Sequence, residues 1–421
     1  MKLELPIHRS RSGAFAILAA LFVSSAALLA ADWPQWRGPT RDGIVPAAAA
    51  PRAWPEELTK SWSQSVGIGH SSPIVAEGRV FQHSRQGEEE IVQAFDLLKG
   101  TPLWKKSYSA PYEVDSAAAE HGKGPKSTPT CSAGRLYTLS INGRLTCWDA
   151  VRGTLVWEHN FGRDFPKPSP QFGTATSPLI VGGMCIVHGG GAEGGTLAAF
   201  DSATGEVKWS RKGTGPAYAS PIVVKLDGVE QLVTQIQDAC LSVDLRTGRD
   251  LWTLPLTTEY EQNCISPVAL DEKTILFGGY HQPTFAVVPR LAAGKWSPTR
   301  LWKNADIPLY MNTPVVSERW FFGMTQKRAG QLFCADSASG KVQWTNDGRF
   351  GDNASLLIAG DFLLALSTDA KLLVLEKNPR QLKVVRTYQV AENPTWASPA
   401  LSGSSLLIKD LESLTCYSLS K

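Results

Sequence analysis

The sequence predicts an all-β fold, an eight-bladed β-propeller of four-stranded antiparallel blades, with its ring closed by an N-terminal strand. Three observations carry that expectation. A Ser/Thr-Pro landmark recurs at blade-length intervals, an Asp-x-x-x-Gly…Trp signature follows it in most copies, and an outer-strand motif stands displaced at the front of the chain.

The landmark sets the period. Ser72-Pro73, Thr128-Pro129, Ser177-Pro178, Ser220-Pro221, Ser266-Pro267, Thr313-Pro314 and Ser398-Pro399 each open an apolar stretch, and Ser355-Leu356 is a degenerate eighth copy. The steps run from 42 to 56 residues, the length of one four-stranded blade.

The second signature places a turn. Asp96 leads to Gly100 and Trp104, Asp149 to Gly153 and Trp157, and Asp201 to Gly205 and Trp209. Asp244, Gly248 and Trp252 repeat the spacing, as do Asp336, Gly340 and Trp344. An Asp side chain accepts from backbone N–H groups about two residues on, and Gly supplies the positive φ that closes the hairpin. The Trp then opens the outer strand, where its flat ring docks between neighbouring blades. Copy five keeps Trp302 behind a longer hairpin through Pro289, Gly294 and Trp296. Copy seven has Val384 or Val385 where the Trp would stand.

Copy eight ends at Cys416–Lys421 without an outer strand. The missing piece appears at the other end of the chain. Lys60-Ser61-Trp62-Ser63 has the character of Leu103-Trp104-Lys105-Lys106 and Lys208-Trp209-Ser210-Arg211. Residues 58–66 are therefore expected to complete the last blade and leave no open edge across the ring. The predicted docking set is Trp62, Trp104, Trp157, Trp209, Trp252, Trp302 and Trp344.

Composition agrees. At 421 residues and 43% apolar, the chain can bury a large core, while 37 Gly, 27 Pro and 19% charged residues favour short strands and tight turns. Residues 1–31 read as a signal peptide: Lys2, Arg9 and Arg11 precede a largely apolar run over 14–30. Residues 32–57 then form a leader and linker, and 58–421 the propeller. The expected product is exported, periplasmic or at the cell surface, with no transmembrane span once the signal is removed. Its net charge falls to about +1, which offers no field for nucleic acid or an anionic membrane.

Metal and thiol chemistry find little purchase. The seven cysteines include no adjacent pair and no C-x-x-C. Cys147, Cys334 and Cys416 share a repeat position with Ala94, Ala199 and Ser242, so they read as small buried strand residues. Six histidines remain after residue 31, none at zinc-ligand spacing, and no metal site is expected.

A ligand site is expected at one mouth of the channel, where the residues just before each landmark gather. The candidates are His70, Lys126, Tyr218, Asn263, Asn312, Asn353 and Trp396, with Glu120, His121, Arg163, Tyr280, His281, Tyr310 and Asp352 on nearby loops. Such a mixture suits a small molecule or a peptide, and Tyr218 and Trp396 are placed to stack on a carbohydrate ring. The Trp33–Gly43 leader is expected to pack onto one face of the propeller. Its functional alternative would offer Arg37 and Arg41 to a partner.

The Ala/Cys-x-Asp-x-x-x-Gly-x-x-x-Trp pattern at Ala94–Trp104, Cys147–Trp157 and Ala199–Trp209 resembles the quinoprotein-type, or PQQ-like, propeller repeat. The resemblance covers about residues 58–421, and the Trp33–Gly43 stretch is similar to a leader of exported bacterial PQQ-like propellers. Two groups use the repeat: quinone-dependent alcohol and sugar dehydrogenases, and the scaffold of the assembly factor BamB. The dehydrogenase likeness implies a quinone between a Trp and a disulfide of adjacent cysteines, a calcium held by Glu, Asn and Asp, and an Asp base. Here no adjacent cysteines and no C-x-x-C-H haem site exist. The expectation is an exported, non-catalytic binding or scaffold propeller with a protein partner and no cofactor. The competing expectation is a PQQ- and calcium-dependent oxidoreductase acting on alcohols or sugars.

Overall fold

Short runs of β-branched and aromatic residues, punctuated by Gly and Asp, form antiparallel meanders. In blade 1 the strands Ile74–Ala76, Arg79–Gln86, Glu89–Asp96 and Pro102–Ser109 pair in chain order. Six blades of the same order follow over 130–160, 179–213, 222–255, 268–304, 315–345 and 354–389. This computed structural model describes residues 32–420 apart from Pro168, so the signal-peptide expectation for 1–31 lies outside the described residues.

Blade 8 takes three strands from 400–418 and its fourth from Thr59–Ser65, which pairs antiparallel with Ser413–Ser418. The ring is thus an eight-bladed propeller closed by an N-terminal strand. Helix is confined, among the described residues, to three short 3-10 turns.

The core lies in the seams between blades. Phe81, Val92 and Ala94 of blade 1 cluster with Leu136 and Trp148 of blade 2. The same packing recurs around the ring, as with Ile186 and Leu197 of blade 3 against Leu232 and Leu241 of blade 4. Each apolar face therefore needs its neighbour. A lone blade would leave it in water.

The Asp-x-x-x-Gly…Trp signature is the device that locks those seams. Asp96 Oδ1 accepts from the N–H groups of Leu98 and Lys99 at 3.0 and 2.8 Å, and the other four aspartates do the same. Each turn glycine stands at positive φ, between 67° and 79°. The Trp of the preceding blade lies flat on that glycine: a Cβ on Gly153 would sit 2.6 Å from the Trp104 ring, and one on Gly205 2.7 Å from Trp157. The indole N–H then donates to the carbonyl after the aspartate, as Trp104 does to Ala150 at 3.0 Å and Trp157 to Ser202 at 3.1 Å. Trp62, Trp209 and Trp302 repeat the bond to Leu97, Leu245 and Ser337, and Trp344 reaches Asn378 in blade 7.

The small residue of the signature is the indole's counterpart. A register shift near the start of each outer strand sets Ala94 opposite Trp104, Cys147 opposite Trp157, Cys334 opposite Trp344 and Cys416 opposite Trp62. The shift is a bulge that re-aims the Trp across the seam, and only a small side chain leaves room behind it. All seven cysteines are free thiols.

Trp252 departs from the rule. Blade 5 offers it no Asp-x-x-x-Gly turn, and it donates instead to Gln231 Oε1 of its own blade at 3.0 Å. Trp296, carried back by the longer blade 5 hairpin, is buried in the same seam.

Two glycine substitutions separate the indole contact from backbone strain. Gly205 and Gly228 share φ near 80°, but only Gly205 faces a ring; nothing lies within 4 Å of a Cβ on Gly228. Gly228→Ala should cost about 1 kcal/mol from the backbone alone. Gly205→Ala should cost about 2 kcal/mol more, because the Trp157 ring must move. Urea unfolding of the two variants measures the difference, and equal losses would refute the docking role.

Candidate functional site at the channel mouth

The residues around each landmark form two stacked rings inside the channel. The lower ring is the Ser/Thr hydroxyls. The N–H of Ser72 donates to Thr128 Oγ1, Thr128 to Ser177 Oγ, Ser177 to Ser220 Oγ, Ser220 to Ser266 Oγ and Ser266 to Thr313 Oγ1, at 2.9–3.2 Å. Ser398 N–H completes the other side by donating to Ser72 Oγ at 2.9 Å, and the hydroxyls of Ser355 and Ser398 meet at 3.0 Å. Each bond joins one blade to the next.

The upper ring sits two residues earlier: His70, Lys126, Ala175, Tyr218, Cys264, Met311, Asn353 and Trp396. All eight line one cavity of about 170 Å³ with the lower-ring hydroxyl residues other than Thr313. The parity has a simple cause. Residues before a proline are held extended, so side chains alternate, and those two apart share a face.

Parity also decides which expectations fail to meet. His70, Lys126, Tyr218, Asn353 and Trp396 come together, whereas Asn263 and Asn312 stand at odd offsets and point away. Asn263 is buried and donates to the carbonyls of Ile236, Gln237 and Leu256. Asn312 Oδ1 accepts from Met324 N–H at 3.0 Å. Cys264 and Met311 take their places in the lining. Tyr280, His281 and Tyr310 pack on one another away from the cavity.

One wall is aromatic. His70 stacks on Trp396 with ring centres 5.4 Å apart, His121 meets Trp396 edge-on at 5.0 Å, and Phe172 continues the wall to Tyr218 at 5.8 Å. Burial, then the nearby Lys126, hold His70 well below the ordinary imidazole range, and His121 is lowered for the same reasons. In both, burial favours the neutral ring. Lys126 lies among them, its pKa lowered to about 8 by burial.

The leader forms the floor, which periodicity does not foretell. Trp33 pairs with Val75 of blade 1, Cys131 N–H of blade 2 donates to Pro34, and Ile44–Val45 adds a parallel strand to blade 7. Between them Trp36 reaches Ser266 Oγ with its indole N–H at 3.2 Å and lines the cavity from below. Arg37 and Arg41 are buried, so they form no partner surface. Arg37 donates to the carbonyls of Thr313 and Pro314 at 2.8 and 2.6 Å, and Arg41 to Pro178 at 3.0 Å and Ser177 at 3.3 Å. Burial brings their pKa values down to about 10 and about 9.

The lining side chains are hydroxyls, imidazoles, amides, one ammonium, sulfur and aromatic rings, with no carboxylate. Among the described residues, no three His, Cys, Asp or Glu side chains are grouped to hold a metal ion. The site can donate hydrogen bonds and stack on a flat body.

Two consequences are measurable. Ser177→Ala leaves the buried Thr128 N–H without its acceptor and should cost about 1–3 kcal/mol in chemical denaturation. In the intact protein carrying 13Cε-lysine, the Lys126 signal should titrate near 8, against about 10.4 for solvated lysines. Lys409, also lowered to about 8 by burial, is the second low-titrating lysine, and Lys126→Gln identifies which is which.

Comparison with known proteins places this geometry. The family profile described as "Outer membrane protein assembly factor BamB" matches residues 88–346, more than half of the chain. BamB of Bordetella pertussis is 22% identical over 242 residues, covering 51% of this chain and 58% of that protein. A 1-butanol dehydrogenase (cytochrome c) of Thauera butanivorans is 28% identical over 182 residues, covering 39% of this chain and 23% of the enzyme. The chain thus spans less than two thirds of these relatives. Among solved structures, BamB from Moraxella catarrhalis superposes with a TM-score of 0.61 at 14% identity, over 86% of this chain and 98% of its own. The quinohemoprotein alcohol dehydrogenase of Comamonas testosteroni gives 0.65 at 13% identity, over 92% and 80%. At such identities the superpositions speak for the fold.

Proposed function

The chain belongs to the family described as outer membrane protein assembly factor BamB, and we propose that within it this propeller works by binding, as an exported, non-catalytic scaffold. Its place is the periplasm or the cell surface, and its principal partner is a protein that docks at the channel mouth or along the outer strands. The ring carries open outer edges on which a partner strand can add.

The observation that carries this reading is the donor set at the mouth. A calcium-polarised quinone calls for carboxylate ligands, and the lining offers none. The sulfur there is the single thiol of Cys264, pushed up by burial, and the thioether of Met311. The residues present do not fit that group. The alcohol dehydrogenases among the relatives keep the alternative in view: a PQQ-dependent oxidoreductase acting on alcohols or sugars.

Calorimetric titration of the purified protein with pyrroloquinoline quinone, with and without calcium, separates the two. The binding reading expects no saturable heat that depends on calcium at high micromolar quinone. Saturable, calcium-dependent heat would overturn it and call for a dye-linked screen of alcohols and sugars.

A further inference from the structure

We propose that the channel-mouth cavity is a carboxylate site, taking the carboxylate of a flat apolar group on Lys126 and the ring hydroxyls, with the aromatic wall against its body. This rests on reading the mouth as a binding site and names the chemistry that it recognises.

The ring hydroxyls have hydrogen-bonding capacity left over. Each ring hydroxyl of Ser72, Thr128, Ser177 and Ser220 already accepts a backbone N–H from the blade before it. Ser266 Oγ accepts two donors, Ser220 N–H and the Trp36 indole. Each of the four keeps its proton and one lone pair, and Ser266 keeps its proton alone. The lower ring therefore offers several protons to the cavity, and an acceptor with several lone pairs satisfies them together.

The cavity also carries a positive charge. Lys126 Nζ makes one hydrogen bond, a 3.3 Å contact to Gly122 O. The carboxylate that acts on it electrostatically is Glu90, whose oxygens are already held. His83 and Tyr108 bond Glu90 Oε2 at 2.9 Å each, and Ile141 N–H bonds Oε1 at 3.0 Å. Beneath the floor, Arg37 and Arg41 make no ion pair within 4 Å among the described residues, and their guanidinium groups hold backbone carbonyls of the ring residues Thr313 and Ser177. Lys126 brings positive charge to the cavity from the side, and the lining holds no carboxylate to balance it. An anion in the cavity gains from that charge at low dielectric.

The aromatic wall selects the kind of anion. Neither ring nitrogen of His70 has a hydrogen-bond partner among the described residues, although the ring is stacked on Trp396 and lines the cavity. Trp396 and Phe172 line the same cavity, joined through His121. A hydrated inorganic anion has no use for such a wall, whereas a carboxylate on a planar or apolar body uses both halves. At about 170 Å³ the space lies below the roughly 300–1,000 Å³ of drug-sized pockets. One small ring with its carboxylate suits it. The source is either a free small acid or the C-terminal carboxylate of a partner polypeptide ending in an aromatic residue.

The test is calorimetry on the full protein with benzoate, benzamide, inorganic phosphate, and a hexapeptide ending in phenylalanine as free acid and as amide. Benzoate should saturate, with benzamide at least tenfold weaker. Lys126→Met should weaken benzoate at least tenfold, and Lys126→Arg should stay within threefold, each checked for folding by its thermal melt. A free-acid peptide at least tenfold tighter than benzoate, with an inert amide, assigns the source to a partner's C-terminus; the reverse order assigns it to a free acid. Benzamide equal to benzoate, phosphate tighter than benzoate, or no heat from any carboxylate would overturn the proposal. Because the benzoate–benzamide pair needs no variant, a misfolded mutant cannot shelter it. Failure here together with silence toward quinone and calcium removes the carboxylate alone; a response to quinone and calcium removes the scaffold reading itself.

Discussion

A backbone N–H at the channel of one blade donates to a Ser or Thr hydroxyl of the next, and this bond, repeated round the axis, sets the position of every other element. The proline after each hydroxyl residue removes a competing donor and holds the preceding residue extended. Between blades 7 and 8 a contact of the Ser355 and Ser398 hydroxyls replaces that bond, and the circle lapses between blades 6 and 7, where Ser355 is followed by Leu356 instead of proline. There the inner strand Ala354–Ala359 is six residues long, against two to five in the other blades. Its edge takes the leader strand Ile44–Val45, with Ile358 N–H bonded to Gly43 O at 2.8 Å. Arg37 holds the blade 6 side of the same seam through Thr313 and Pro314. The leader repairs the one gap and floors the channel in a single pass.

The outer circumference is held by a different bond with the same logic. A Trp lies on the turn glycine of the following blade, and a small residue behind it makes room. Where blade 5 lacks the turn, Trp252 goes to its own blade's Gln231 and Trp296 fills the seam. Where blade 7 lacks the Trp, Trp54 from the linker is buried against Phe362 and Tyr388. The position is filled by whatever aromatic the chain can bring, because an unfilled seam would leave a void between two packed faces.

Local chemistry made the blades legible. The Asp-x-x-x-Gly turn, the docking Trp and the small residue opposite it each follow from contacts a few residues apart or one blade away, so spacing reveals them. The mouth was legible only in outline. Proximity to the landmark nominated Asn263 and Asn312, while alternation selects Cys264 and Met311; parity relative to Ser/Thr was present in the sequence as a signal. Phe172 and Gln262 reach the cavity from longer loops with no periodic marker. That the leader packs against the propeller follows from its paired tryptophans. Its path beneath the channel had no local signature, since Arg37 and Arg41 find their carbonyls 276 and 137 residues away in the chain. Burial of those arginines on carbonyl oxygens is a tertiary outcome.

Thr59–Ser65 and Ser413–Ser418 lie roughly 350 residues apart in the chain and adjacent in the sheet. During synthesis the first of these strands emerges long before its partner exists and has to wait with its N–H and C=O groups unpaired. A waiting edge of that kind is an invitation to pair with the wrong chain. Thr59-Lys60-Ser61-Trp62-Ser63-Gln64-Ser65 answers with six polar residues around one indole, a strand too soluble to aggregate and recognisable chiefly by the ring that will lie on Gly100. The cavity shares that timetable. Trp36 of the leader and Trp396 and Ser398 near the other end line it together, so a chain cut short before Trp396 has no complete cavity.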